Sequence, residues 1–115
     1  MDEEFKRFPL GGETYEVIGC AMEVLNELGS GLFEKPYENA MVVEFRLRGI
    51  PYKQQPPYLV QYKGQNVGDY IPDLIAYNQI IVDLKVIDGI GRHEIAQMLN
   101  YLRITKLPVG LILNF

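Results

Sequence analysis

The sequence predicts an α/β domain, a mixed β-sheet with helices packed on it, in the element order α-α-β-β-β-β-α-β. Three observations carry this. Apolar residues recur at helical spacing from Val17 to Leu47. From Ile50 the apolar period changes to two. A last helical stretch then lies between two apolar strands, which is the pattern of a crossover unit.

Each element follows from local signals. Residues 1–12 are charged and end in Gly11-Gly12, so they read as a flexible N-terminal arm, leaving 13–115 as a single domain. From Glu13 to Leu28, the residues Val17, Ile18, Ala21, Met22, Val24, Leu25 and Leu28 follow a helical stripe, with Thr14 a candidate N-cap. Gly29 stops this helix, since glycine tolerates the left-handed conformation. A second helix is expected near Lys35 to Arg48, with Ala40, Met41, Val43 and Leu47 inward. Pro36 suits its first turn, where a missing N–H costs nothing. Ile50–Gln55, Tyr58–Tyr62, Val67–Tyr77, Ile80–Ile87 and Val109–Phe115 read as strands, with turns at Pro56-Pro57 and Lys63-Gly64. The third helix is expected over about Arg92 to Ile104, with Ile95, Met98, Leu99 and Leu102 on its apolar stripe and Pro108 beyond its end.

Composition bounds the function. The chain has 115 residues and a formal net charge of −4. An acidic balance argues against a bulk electrostatic grip on nucleic acid, but leaves room for a local basic strip or for a metal held between carboxylates. The single cysteine, Cys20, rules out an internal disulfide and fits a reducing compartment. No charged-then-apolar leader opens the chain, and no apolar run approaches the ~18 residues of a membrane helix. The expectation is a cytoplasmic protein without membrane contact.

The stretch from Ile80 to Val86 is the most informative. Ile80, Val82, Leu84 and Val86 share one face, while Asp83 and Lys85 stand side by side on the other. Charges within so apolar a strand are costly unless they are paired or bind an ion. Ten residues before Asp83 stands Asp73, another carboxylate in an apolar strand. Whether the two meet is a matter of parity. A three-residue loop, Tyr77-Asn78-Gln79, pairs Ile75 with Ile81 and puts Asp73 beside Asp83. A two-residue loop, Asn78-Gln79, puts Asp73 on the opposite face.

Converging carboxylates bind a hard divalent cation such as Mg²⁺, with Mn²⁺ as the alternative ion. Such an ion polarises a phosphate and acidifies water. Lys85 would then position the attacking water or neutralise charge on the phosphate. The competing explanation is a structural Asp83–Lys85 or Asp73–Lys85 ion pair facing solvent. Gln97 and Tyr101 lie four apart on one face of the third helix, with His93 a turn earlier, and could hold Lys85 or substrate; a solvated helix face explains them equally. Glu34 is a third carboxylate at the mouth of the second helix, where the dipole alone would favour it. Glu23 and Glu44 read as solvated, Cys20 as inert, and Tyr52, Tyr58, Tyr62, Tyr70 and Tyr77 as strand packing.

Taken together these residues resemble a known pattern. Pro72-Asp73, nine residues, then Asp83-Leu84-Lys85 is similar to the PD-(D/E)XK nuclease signature. Gln97-Met98-Leu99-Asn100-Tyr101 resembles the Q-x-x-x-Y element of RecB-type nucleases. The run from Leu28 to Tyr37, with Leu47-Arg48-Gly49-Ile50-Pro51, Tyr62-Lys63-Gly64, Tyr101-Leu102-Arg103 and Leu107 to Leu111, resembles the GxxExxY protein family, a branch of that superfamily. The resemblance covers nearly all of 18–115. It implies a restriction-endonuclease-like core and a Mg²⁺-dependent nuclease hydrolysing phosphodiester bonds. It implies metal ligands at Glu34, Asp73 and Asp83, help from the carbonyl of Leu84, a catalytic Lys85, and support from Gln97 and Tyr101. Two departures stand out: Asp83 replaces the family's commoner glutamate, and the sequence stops at Phe115 where relatives usually continue. The expected partner is a nucleic acid, DNA ahead of RNA, although no residue separates the two. A homodimer would lengthen the groove of so small a chain. The alternative function is a non-catalytic module that keeps the fold and binds nucleic acid or protein.

Overall fold

The computed structural model of the chain describes residues 10–115. The arm expected over 1–12 lies mostly outside them, but Gly11 and Gly12 are already helical. Helix α1 spans Gly11–Leu28 and starts after Leu10, so Thr14 is inside it and caps nothing. The Thr14 N–H donates to Leu10 O at 2.8 Å, as an ordinary first-turn bond. Gly29 ends α1 at φ 70°, and its N–H donates to Leu25 O.

Helix α2 spans Glu34–Leu47. Its inward face is Tyr37, Glu38, Met41, Val42 and Phe45. The expected inward residues Val43 and Leu47 instead face solvent. The stripe is rotated because Tyr37 and Phe45, both larger, claim the core side. Tyr37 also ties the α1–α2 connection: its hydroxyl donates to Gly29 O at 2.6 Å and accepts from the Leu32 N–H.

The strands are β1 (Tyr52–Gln54), β2 (Tyr58–Tyr62), β3 (Gln65–Tyr70), β4 (Leu74–Ala76), β5 (Ile80–Lys85) and β6 (Val109–Asn114). Helix α3, Arg92–Thr105, joins the last two. The strand expected over Val67–Tyr77 is two strands. Proline at Pro72 has no N–H for a ladder, and the chain leaves the β2–β3 hairpin there to enter the main sheet as β4. The main sheet has the order β1-β4-β5-β6. Its first two pairings are antiparallel and β5–β6 is parallel, as the crossover through α3 requires.

The two faces of this sheet are covered differently. Leu74, Ala76, Ile80, Val82 and Leu84 pack on α1 and α2. Ile75 and Ile81 pack with Met98 of α3, Tyr58 of the hairpin, and Tyr101, Leu102 and Ile112. Gly110 lets α3 lie close to β6, since a Cβ there would overlap Met98 Sδ. Of the expected α3 stripe only Met98 is buried; Ile95 and Leu99 stay exposed because they overhang β6, the edge of the sheet. Among the described residues no helix is long and apolar enough to cross a membrane.

Candidate active site

The parity question is decided by the β4–β5 turn. Leu74 pairs with Val82, Ile75 with Ile81 and Ala76 with Ile80, leaving the three-residue loop Tyr77-Asn78-Gln79. Tyr77 and Asn78 both adopt positive φ, 57° and 56°, and the Gln79 N–H closes the turn on Ala76 O. Continued by one step, this register sets Asp73 opposite Asp83. Asp73, Asp83 and Lys85 therefore share the face covered by α3.

The contacts are specific. Asp73 Oδ2 accepts the Leu84 N–H at 2.8 Å, beyond the end of the β4 ladder. In a strand a residue's N–H and C=O project to the same edge, so the Leu84 carbonyl points the same way. Lys85 Nζ stands 3.5 Å from Asp83 Oδ2 and donates to Gln97 Oε1 at 3.4 Å. Asp83 Oδ2 is buried and accepts no hydrogen bond. Burial pushes the Asp83 carboxyl up to about 6, against the pull of Lys85 and with a further push from Asp73. The Tyr101 ring stacks on Tyr70 of β3, centroids 3.8 Å apart, and forms one wall. Burial, then the neighbouring Asp83, raises both hydroxyls, so the wall is uncharged at neutral pH.

Asp73, Asp83, Lys85, Gln97 and Tyr101 thus come together. Glu34 does not join them. Its residue is exposed, in a groove of about 560 Å³ with Gly31, Phe33 and Val86 at the end of β5. Among the described residues no three His, Cys, Asp or Glu side chains gather as a metal cluster. His93 is exposed.

Two residues escaped the sequence reasoning. The sequence reads Tyr70 as strand packing, but it is the stacking partner of Tyr101; its position two residues before Pro72-Asp73 is the one local signal. Glu38 is a buried carboxylate one turn beyond Glu34, accepting from Lys35, Gln54 and Gln55. Gln55 in turn donates its N–H to Asp73 O at 3.0 Å, so Glu38 braces the chain that carries Asp73. A carboxylate directly after the inward Tyr37 was its signal in the sequence.

The donor set suits a hard divalent cation. Asp83 Oδ2 is buried, accepts no hydrogen bond and has Lys85 Nζ at 3.5 Å, and a second carboxylate, Asp73, lies beside it. An α/β sheet that presents two aspartates and a lysine at the end of its central strands defines a class of phosphodiester-cleaving proteins. A model of the PD-(D/E)XK nuclease superfamily matches residues 12–115, and the chain belongs to that superfamily. No curated protein and no solved structure matches it.

Proposed function

We propose that the protein is a Mg²⁺-dependent nuclease of the GxxExxY branch, with Mn²⁺ able to substitute, acting on nucleic acid and on DNA before RNA, in the cytoplasm. The observation that carries this is the buried Asp83 Oδ2, which accepts no hydrogen bond, with Asp73 and Lys85 beside it on one sheet face. Asp73, Asp83 and the Leu84 carbonyl would hold the metal. Glu34 would complete the set only by reaching around the end of β5; water fills the remaining positions otherwise, as Mg²⁺ favours. The ion, when bound, supplies Lewis-acid polarisation of the phosphate. Lys85, aimed by Gln97, orients the attacking water or neutralises charge on the phosphate. Tyr101 and Tyr70 shield this face from bulk water.

Calorimetric titration with Mg²⁺ and Mn²⁺ tests the site. Binding at millimolar concentration that disappears in Asp83→Ala is the expected result. Lys85→Ala should keep the metal and lose metal-dependent cleavage of DNA by at least ~100-fold, the scale of a removed acid–base or electrostatic group. Absence of metal binding in the wild type would favour the non-catalytic module instead.

A homodimer is supported by the edge at β6. The opposite edge, β1, is three residues long, carries Lys53 and is flanked by Pro51 and Pro56. Strand β6 has six residues and carries neither charge nor proline within it, with Pro108 only at its start. Met22 and Leu25 of α1 overhang one side of this edge, and Ile95 and Leu99 of α3 the other. A two-fold axis through an antiparallel β6–β6 pair would set like helices against each other and carry the sheet across both copies.

A further inference from the structure

An acidic chain that cuts a polyanion must hold it somewhere, and most of its described cations are engaged. Lys35 pairs with Glu38, Arg48 with Glu44 and Glu16, and Arg46 donates to Tyr52. Lys85 belongs to the site. Four described cations, Lys53, Arg92, Arg103 and Lys106, are not engaged, and of these Arg103 and Lys106 stand together. Among the described residues neither side chain has a hydrogen-bond or ion-pair partner. Both line one groove of about 420 Å³ between the end of α3 and the hairpin, with Leu59, Val60, Gln61 and Ile104, and no carboxylate lines it.

The groove adjoins the site across the Tyr70–Tyr101 stack. The hairpin is anchored on α3 where Tyr70 stacks on Tyr101 and Tyr58 joins the same apolar cluster. From that point β2 runs on through Leu59, Val60 and Gln61, and α3 runs on through Arg103 and Ile104. Lys106 lies nine residues past Gln97, ~13 Å along the axis at 1.5 Å per residue.

Lys106 is also an odd choice for its place. It closes α3 at φ 59°, where glycine is the ordinary residue. A lysine held in a conformation that disfavours it is a hint that the side chain is needed. The helix dipole offers a plainer explanation for basic residues here. It predicts no effect on nucleic acid, so the two can be separated.

We infer that the groove between the end of α3 and the β2–β3 hairpin is a phosphate-binding subsite, in which Arg103 and Lys106 hold the backbone of a nucleic-acid strand beyond the Tyr70–Tyr101 wall of the site. This rests on the nuclease function proposed above. Arg103 supplies a fork that matches phosphate oxygens, Lys106 a point charge, and Gln61 an amide donor. Leu59 and Ile104 give the sugar an apolar wall.

The test uses Lys106→Gly with Arg103→Gln, and Arg46→Gln, on α2 across the sheet, as a cation outside the groove. Glycine suits the backbone at position 106, so thermal unfolding should be unharmed. Binding of a fluorescent 20-nucleotide single strand and its duplex is followed from 50 to 200 mM salt, with Ca²⁺, which takes the same oxygen ligands, in place of Mg²⁺ to slow cleavage. The double variant should bind ~10-fold more weakly at low salt. Its log K against log salt should be shallower by about 0.7–0.9 for each phosphate that is no longer neutralised. Arg46→Gln should change neither. Unchanged binding in the double variant, or an equal loss in Arg46→Gln, overturns the subsite and leaves the nuclease function standing. A wild type that binds neither strand nor duplex at 50 mM salt overturns both.

Discussion

Asp83 shows how burial sets the chemistry of a single group. Its carboxyl sits in a strand that is apolar apart from Lys85, and desolvation outweighs the attraction of that lysine. A cation reverses that balance, which is why metal binding and Asp83 are tested together. Cys20 shows the same physics without function. It is fully buried in α1, and burial pushes its thiol from 9.0 to about 11. The folded chain therefore keeps the proton longer than the unfolded one. The stability tied to this group is complete below about pH 9 and is lost as the pH rises towards 11. In urea titrations the wild type should lose on the order of 2 kcal/mol relative to Cys20→Ala across that window. A constant difference would show that the thiol is ordinary in the fold.

At the scale of elements the β4–β5 turn carries the site. Its three residues bring Asp73 to Asp83, and two of them hold positive φ. Deleting Asn78 would leave a two-residue loop and rotate Asp73 to the α1–α2 face. The chain should then lose Mg²⁺ binding while retaining helical circular dichroism. Asn78→Gly, by contrast, relieves a strained φ and should leave metal binding intact; loss of binding there would mean that the turn's conformation is not what matters. The hairpin was legible as a loop length, because side chains alternate strictly along a strand. The bend at Pro72 was legible only as a proline. That it moves the chain from one sheet to another depends on where β1 lies, and β1 is distant in sequence.

For the whole molecule, the consequence of so small a core is that its apolar stripes outrun their cover. Met22 is 67% exposed and Leu99 55%, on helices that flank the same open edge. Size-exclusion chromatography with light scattering should give a dimer, and Met22→Lys with Leu25→Glu, on the exposed side of α1 beside β6, should return a monomer that still binds metal. A wild-type monomer at 100 µM would remove the second copy from the picture. The nearer end of the sheet behaves differently: Phe115 stacks on Tyr37 at 4.6 Å and covers α2.

Taken alone, the sequence determined the α/β class, the crossover at the end, and the identity of the charged groups in the central strands. It could do so because strand and helix periods are local, and because Asp83 and Lys85 are conspicuous in an apolar run. It also limited Asp73 to two faces. Only the tertiary structure chose between them, brought Gln97 to Lys85, and set Tyr70 on Tyr101. It also left Glu34 apart from Asp73 and Asp83, and rotated the α2 stripe onto Tyr37 and Phe45. These depend on how elements far apart in the chain pack, which a local pattern does not encode. The groove of Arg103 and Lys106 belongs with them, since its other wall comes from a strand some forty residues earlier.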